Sequence, residues 1–199
     1  MIAVIDYGVG NLFSLCASLS YLNIDSVVTN DISVLEKADK IILPGVGAFG
    51  DAYMMLEKTG LIPFLKTTKK PVLGICLGMQ LLFDKSYEYG EHNGLGIIKG
   101  IIYPIKEDVC KDLKIPHMGW NSLTFKKESK LFKYVTEGSY VYYVHSFYAK
   151  DCSESIIATS DYGTEITGAV ECNNYYGTQF HPEKSGKTGL SILKAFSEL

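Results

Sequence analysis

Two rhythms of apolar residues alternate through the first eighty positions. Short unbroken apolar runs fall at residues 2–6, 26–29, 40–44 and 72–75, and most end in glycine- or asparagine-rich turns. Runs of that length without internal polar positions predict strands buried on both faces. Between the first two, Leu12, Leu15, Cys16, Leu19 and Leu22 recur at helical spacing, with Asn11 or Ser14 as candidate caps. Residues 51–58 form another helical stretch, stopping near Gly60. Strands alternating with helices predict parallel βαβ units and a doubly wound α/β sheet.

The second half reads differently. Residues 94–105, 122–125 and 139–148 predict strands joined by turns, an antiparallel extension of the parallel sheet. In 139–148, Tyr140, Tyr142, Val144 and Ser146 alternate with Val141, Tyr143, His145 and Phe147, and either set suits a buried face. Residues 168–171 and 176–180 predict a closing hairpin around Asn173-Asn174, and residues 190–196 a C-terminal helix.

Composition narrows the function. At 199 residues and 47% hydrophobic, the chain suits one domain with a substantial core. A net charge of −3 gives no reason to expect nucleic acid or an anionic membrane as partner. Every basic residue is Lys. Without Arg, bidentate phosphate recognition is expected elsewhere, although a codon bias explains the same composition. The five cysteines form no Cys-x-x-Cys, and no apolar run reaches the ~20 residues of a membrane span. The opening strand follows no basic leader, so a reducing cytoplasmic compartment is expected. No metal or cofactor is expected.

The chemistry gathers around Cys76. Gly74-Ile75-Cys76-Leu77-Gly78 is the thiol counterpart of the Gly-x-Ser-x-Gly nucleophile elbow. Such a turn exposes the sulfur at the carboxyl end of a strand, in front of a helix that favours a thiolate. The competing reading is a buried structural cysteine between packing glycines. Gly45-Val46-Gly47-Ala48-Phe49-Gly50 fits the dinucleotide pattern Gly-x-Gly-x-x-Gly. It follows the third strand, Pro44 precedes it, and no acid lies ~20 residues on. An oxyanion loop beside Cys76, acting with the Leu77 N–H, is the better reading. In His181-Pro182-Glu183, base and carboxylate two residues apart project to one side, as base and orienter of a thiol. His145 competes as base but lacks a nearby carboxylate in sequence and suits a partly buried, backbone-bonded histidine. His92 and His117 fall in predicted turns without partners. Gln80 lies one helical turn after Cys76.

With elbow, glycine loop and His-Pro-Glu in place, the chain resembles the class I (triad) glutamine amidotransferases over essentially its whole length. Within them it is similar to the glutaminase subunits of imidazole glycerol phosphate synthase. The narrower likeness rests on residues 6–12 (DYGVGNL), 44–49 (PGVGAF), 116–121 (PHMGWN) and 180–185 (FHPEKS).

That resemblance implies a single flavodoxin-like domain over 1–199, mostly parallel and covered by helices on both faces. It implies Cys76, His181 and Glu183 as catalytic residues, with Val46 and Leu77 at the oxyanion. Gly47, Gln80, Ser146 and Phe147 would surround L-glutamine; Phe147 stands where the family usually has Tyr. The implied role is to deliver ammonia to a (β/α)8-barrel cyclase, in a heterodimer making imidazole glycerol phosphate and AICAR for histidine biosynthesis. Asn11 and Trp120 would lie at that interface, although a core position suits the only Trp equally. The alternatives are a glutaminase serving another synthase, such as a surface-sugar paralogue, a partner-independent triad cysteine hydrolase, and a silent binding module.

Overall fold

The computed structural model describes residues 1–110 and 112–199. In chain order the first half runs β1 (Ile2–Ile5), α1 (Leu12–Tyr21), β2 (Ser26–Thr29), α2 (Ile32–Leu35), β3 (Lys40–Leu43), α3 (Phe49–Lys58), α4 (Ile62–Thr67), β4 (Val72–Ile75) and α5 (Leu77–Leu81). Then come β5 (Phe83–Ser86), β6 (His92–Asn93), β7 (Ile98–Pro104), β8 (His117–Ser122), β9 (Thr124–Phe125), β10 (Tyr140–His145) and β11 (Phe147–Lys150). The chain closes with β12 (Ile156–Asp161), β13 (Glu165–Cys172), β14 (Tyr175–Thr178) and α6 (Gly186–Ser197).

An eight-stranded sheet of order β2-β1-β3-β4-β14-β13-β12-β9 is parallel from β2 to β14 and antiparallel from there to β9. It separates two cores, because alternate strand residues face opposite ways. Ala3, Ile5, Ile41, Leu43 and Val72 pack with Leu35, Phe49, Leu56 and Leu65 of α2, α3 and α4. Val4, Ile42, Leu73 and Ile75 pack with Leu15 and Leu19 of α1 and with Ile192, Leu193 and Phe196 of α6. The doubly wound arrangement with an antiparallel extension is as the sequence predicts.

Several predicted elements change. The strand expected over 139–148 breaks at Ser146 into β10 and β11, which join different sheets: β10 pairs with β8, and β11 belongs to a sheet of order β11-β7-β5-β6. Its buried face is Val141, Tyr143 and His145. The strand expected over 94–105 begins only at Ile98, and the one over 122–125 breaks at Leu123. β5, α2 and α4 carry no clear periodicity and are not predicted. Asn11 caps α1 by position, without a side-chain hydrogen bond.

The site's position follows from sheet order. β4 lies between β3 and β14, with Leu43 opposite Gly74 and Thr178 opposite Ile75. The carboxyl ends of three adjacent strands therefore finish level. They release the Gly45 loop, Cys76 and the segment 179–183 at one edge, where open α/β sheets bind ligands.

Candidate active site

Cys76 sits at the turn between β4 and α5 with φ +54° and ψ −109°, a region a non-glycine residue occupies only when its surroundings hold it there. Its N–H donates to the Thr178 carbonyl at 2.7 Å. The flanking glycines are sterically required. A Cβ on Gly78 would stand 1.8 Å from the Leu43 carbonyl oxygen, and one on Gly74 2.7 Å from Met79 Cα. The elbow packs backbone on backbone. Leu77 begins α5, so its N–H belongs to the first turn and has no acceptor within the helix.

His181 follows β14. Its Nδ1 lies 2.8 Å from Glu183 Oε1, and the two side chains are 2% and 3% exposed. The backbone around it is fastened to β10. His181 N–H donates to Tyr142 O at 2.9 Å, and Ser185 Oγ donates to His181 O at 2.7 Å while accepting the Tyr142 N–H. Burial alone would lower the imidazole's pKa. The Cys76 sulfur and the Glu183 carboxylate outweigh it and push His181 up to about 10. The arrangement therefore favours an imidazolium beside the Cys76 sulfur. Nε2 of His181 and Oε2 of Glu183 are buried without a hydrogen-bond partner, the first free to serve a reacting group.

Cys76 and His181 open on a cleft of about 330 Å³. Each residue predicted to hold substrate or oxyanion lines it: Val46, Gly47, Leu77, Gln80, Ser146 and Phe147. Gly47 has φ +100° and open space where a side chain would be, so the loop backbone is accessible. Gln80 is more constrained than its spacing suggests. Its Nε2 donates both hydrogens, to Phe147 O and to Gln179 Oε1, each at 3.0 Å. Only its carbonyl oxygen remains for a ligand.

Three further residues belong to the site. Fully buried Gln179 points Nε2 at Cys76 Sγ, 3.6 Å away. Among the described residues Glu88 is the only acidic one lining the cleft; it accepts the Phe49 N–H at 2.7 Å, and burial raises its pKa. Tyr7 donates its buried hydroxyl to Pro44 O at 2.7 Å and so fixes the start of the glycine loop. Glu88 has no motif; Tyr7 stands within the 6–12 segment without a role read from it, and Gln179 stands immediately before the 180–185 segment.

Asn11 lines a small crevice with Val46, His181 and Glu183. Trp120 is 55% exposed, edge-on to Tyr142 at 5.9 Å, which removes the core reading. His145 is buried and bonded to the Phe147 carbonyl, as expected. His117 is not in a turn without partners. It lies buried in β8 and is paired with His145, because strand pairing brings them together across 28 residues. Among the described residues, no group of three His, Cys, Asp or Glu could hold a metal ion, and no helix is long and apolar enough to cross a membrane.

With a cysteine elbow, a His–Glu pair and an open glycine loop gathered at one edge of a doubly wound sheet, the chain belongs to the glutamine amidotransferase class-I family, whose model matches residues 3–198. Solved structures share the fold. A glutamine amidotransferase superposes with a TM-score of 0.75 at 15% identity, covering 98% of this chain and 99% of that one. A glutamine amidotransferase from Thermotoga maritima gives 0.63 at 17%, covering 99% and 82%. Within the family the chain groups with proteins named imidazole glycerol phosphate synthase subunit HisH. It is 47% identical to that of Caldanaerobacter subterraneus subsp. tengcongensis, over 100% of this chain and 98% of the relative. It is 48% identical to that of Aquifex aeolicus, over 97% and 94%.

Proposed function

We infer that the chain is the glutamine-hydrolysing subunit of an imidazole glycerol phosphate synthase, acting in histidine biosynthesis, and that Cys76, His181 and Glu183 carry the hydrolysis. The observation that carries the site assignment is the buried, unpartnered Nε2 of His181 beside Cys76, with Glu183 at 2.8 Å behind it. The Cys76 thiolate attacks the side-chain amide carbon of L-glutamine. Negative charge develops on the amide oxygen and is met by N–H groups of Leu77 and of the loop at Val46 and Gly47. The His181 imidazolium protonates the departing nitrogen, and ammonia leaves a γ-glutamyl thioester on Cys76. His181 then takes a proton from water, whose oxygen attacks the thioester and releases glutamate. Glu183 fixes the ring and stabilises its cationic form. The substrate's α-ammonium is matched by Glu88 and by the free carbonyl of Gln80; its carboxylate is matched by backbone N–H groups near Ser146 and Phe147.

Ammonia freed into neutral water is mostly protonated and loses its nucleophilicity. The reading therefore includes a docked cyclase subunit, a (β/α)8 barrel forming a heterodimer in the cytoplasm, with Trp120 and Asn11 on the docking side. The whole chain acts as one glutaminase domain over 1–199. The test measures ammonia release from glutamine by the chain alone and with the cyclase and its nucleotide. Wild type is expected to release ammonia faster in the assembled enzyme, and Cys76→Ala to release none while folding normally. Equal rates with and without the cyclase would favour a partner-independent hydrolase, and activity in Cys76→Ala would overturn the triad.

A further inference from the structure

Outside the triad, the protein buries a pair of imidazoles against the wall of the cleft. The antiparallel register of β8 and β10 sets His117 directly opposite His145. His117 Nδ1 lies 3.0 Å from His145 Nε2, and His145 Nδ1 lies 2.8 Å from Phe147 O. On the far side, His117 Nε2 lies 3.4 Å from Asn121 Nδ2. The same Asn121 amide donates to Asp161 O at 2.7 Å, and its Oδ1 accepts the Ser122 N–H at 2.8 Å.

The backbone groups at the two ends determine every proton between them. A carbonyl only accepts, so His145 carries its hydrogen on Nδ1. In the neutral ring Nε2 is then bare, and His117 must donate to it from Nδ1. His117 Nε2 is left as an acceptor. Asn121 presents an N–H to it, since the Asp161 carbonyl and the Ser122 N–H fix which end of the amide is nitrogen. Burial keeps both rings neutral, with His145 brought down to about 3 and His117 to about 4. His117 is also stacked between Tyr143 and Tyr162, with ring centroids 4.7 and 4.0 Å away. The chain of hydrogen bonds ends on a carbonyl that Gln80 also holds, at the bend that lines the cleft.

We propose that His117, with Asn121 behind it, is a positioning residue for glutamine binding: it locks the tautomer of His145, and His145 together with Gln80 clamps the Phe147 carbonyl that shapes the cleft wall. The inference rests on the glutamine reading above. It gives β8 two roles by its alternation, since His117 and Asn121 point inward while Met118 and Trp120 are exposed. The inner face of this strand is thereby tied through hydrogen bonds to the cleft wall.

Two variants separate donor from volume. His117→Phe keeps a ring between the tyrosines and leaves His145 Nε2 without its donor. His117→Asn returns an N–H near the Nδ1 position. In the assembled synthase, His117→Phe is expected to raise KM for glutamine about tenfold, as for a buried acceptor that loses its partner, with kcat within about threefold. His117→Asn is expected to recover most of that loss. An unchanged KM in His117→Phe, a loss confined to kcat, or equal impairment of both variants would overturn the proposal. Nitrogen-15 NMR of the wild-type imidazoles needs no variant to fold. Both rings are expected as neutral Nδ1–H tautomers at pH 7, and an Nε2–H tautomer on either one refutes the relay. Absence of glutamine hydrolysis by the wild-type enzyme would instead strike the glutamine reading and leave the tautomers standing.

Discussion

Gly78→Ala tests how closely the nucleophile elbow is packed. The added methyl would stand 1.8 Å from the Leu43 carbonyl oxygen and 2.8 Å from its carbon, both backbone atoms at the end of β3. Neither can rotate away. Opening the contact from 1.8 Å to 3.0 Å moves the elbow from β3 by about 1.2 Å. Overpacking of this kind costs up to about 3 kcal/mol, and alanine in a helix regains about 1 kcal/mol, leaving a net loss near 2 kcal/mol. For a chain of this size that lowers Tm by roughly 4–8 °C. The larger effect is on chemistry. Cys76 and Leu77 lie on one side of the contact and the Gly45 loop on the other, so the loop's oxyanion donors draw away from the nucleophile by about that distance. Misplacement on that scale costs about 100-fold in rate. Urea denaturation and ammonia release from the assembled enzyme measure both quantities. Gly60→Ala is the control: φ is +73° with open space around it, so only about 1 kcal/mol of backbone strain is expected and no loss of activity. A Gly78→Ala protein that loses less than about 0.5 kcal/mol and keeps kcat/KM within about threefold of wild type would refute so close a contact.

Two other outcomes follow from charges in the site. Glu88→Gln retains an acceptor for the Phe49 N–H and removes the cleft's only carboxylate, so KM for glutamine is expected to rise about 10- to 100-fold, more than kcat falls; an unmoved KM would place the substrate's ammonium elsewhere. His181 is raised from 6.5 to about 10 in the folded state, so its contribution to stability is full below pH 6.5 and is lost as pH rises toward 10. The Tm difference between wild type and His181→Gln should shrink across that window, and a difference that grows with pH would contradict the assigned pairing.

The site was legible where chemistry demands a local pattern. An elbow needs small residues on either side of its nucleophile, so Gly74, Cys76 and Gly78 stand together in the chain. An orienting carboxylate reaches its histidine across a single proline, so His181 and Glu183 announce each other. Glu88 and His117 have no such neighbours. Glu88 meets the cleft because β5 leads back past the start of α3, and His117 meets His145 through pairing between strands far apart in sequence. The break of 139–148 at Ser146 was equally invisible, because the run stays rich in apolar and aromatic residues across Ser146 and only the pairing of its halves with different sheets divides it.

By itself the sequence determined the alternation of the first strands with α1 and α3, the local patterns that single out Cys76, His181 and Glu183 as candidates, and the family. These depend on residues within a few positions of one another, where backbone geometry is set by local sterics. Tertiary structure alone decided that Gln80 offers a carbonyl rather than an amide hydrogen, that Glu88 faces the cleft, and that two histidines form a hydrogen-bonded chain to the Phe147 carbonyl. Each of those depends on which hydrogen-bonding groups are brought opposite one another across strand registers and sheet order. A chain read one residue at a time carries no record of that placement.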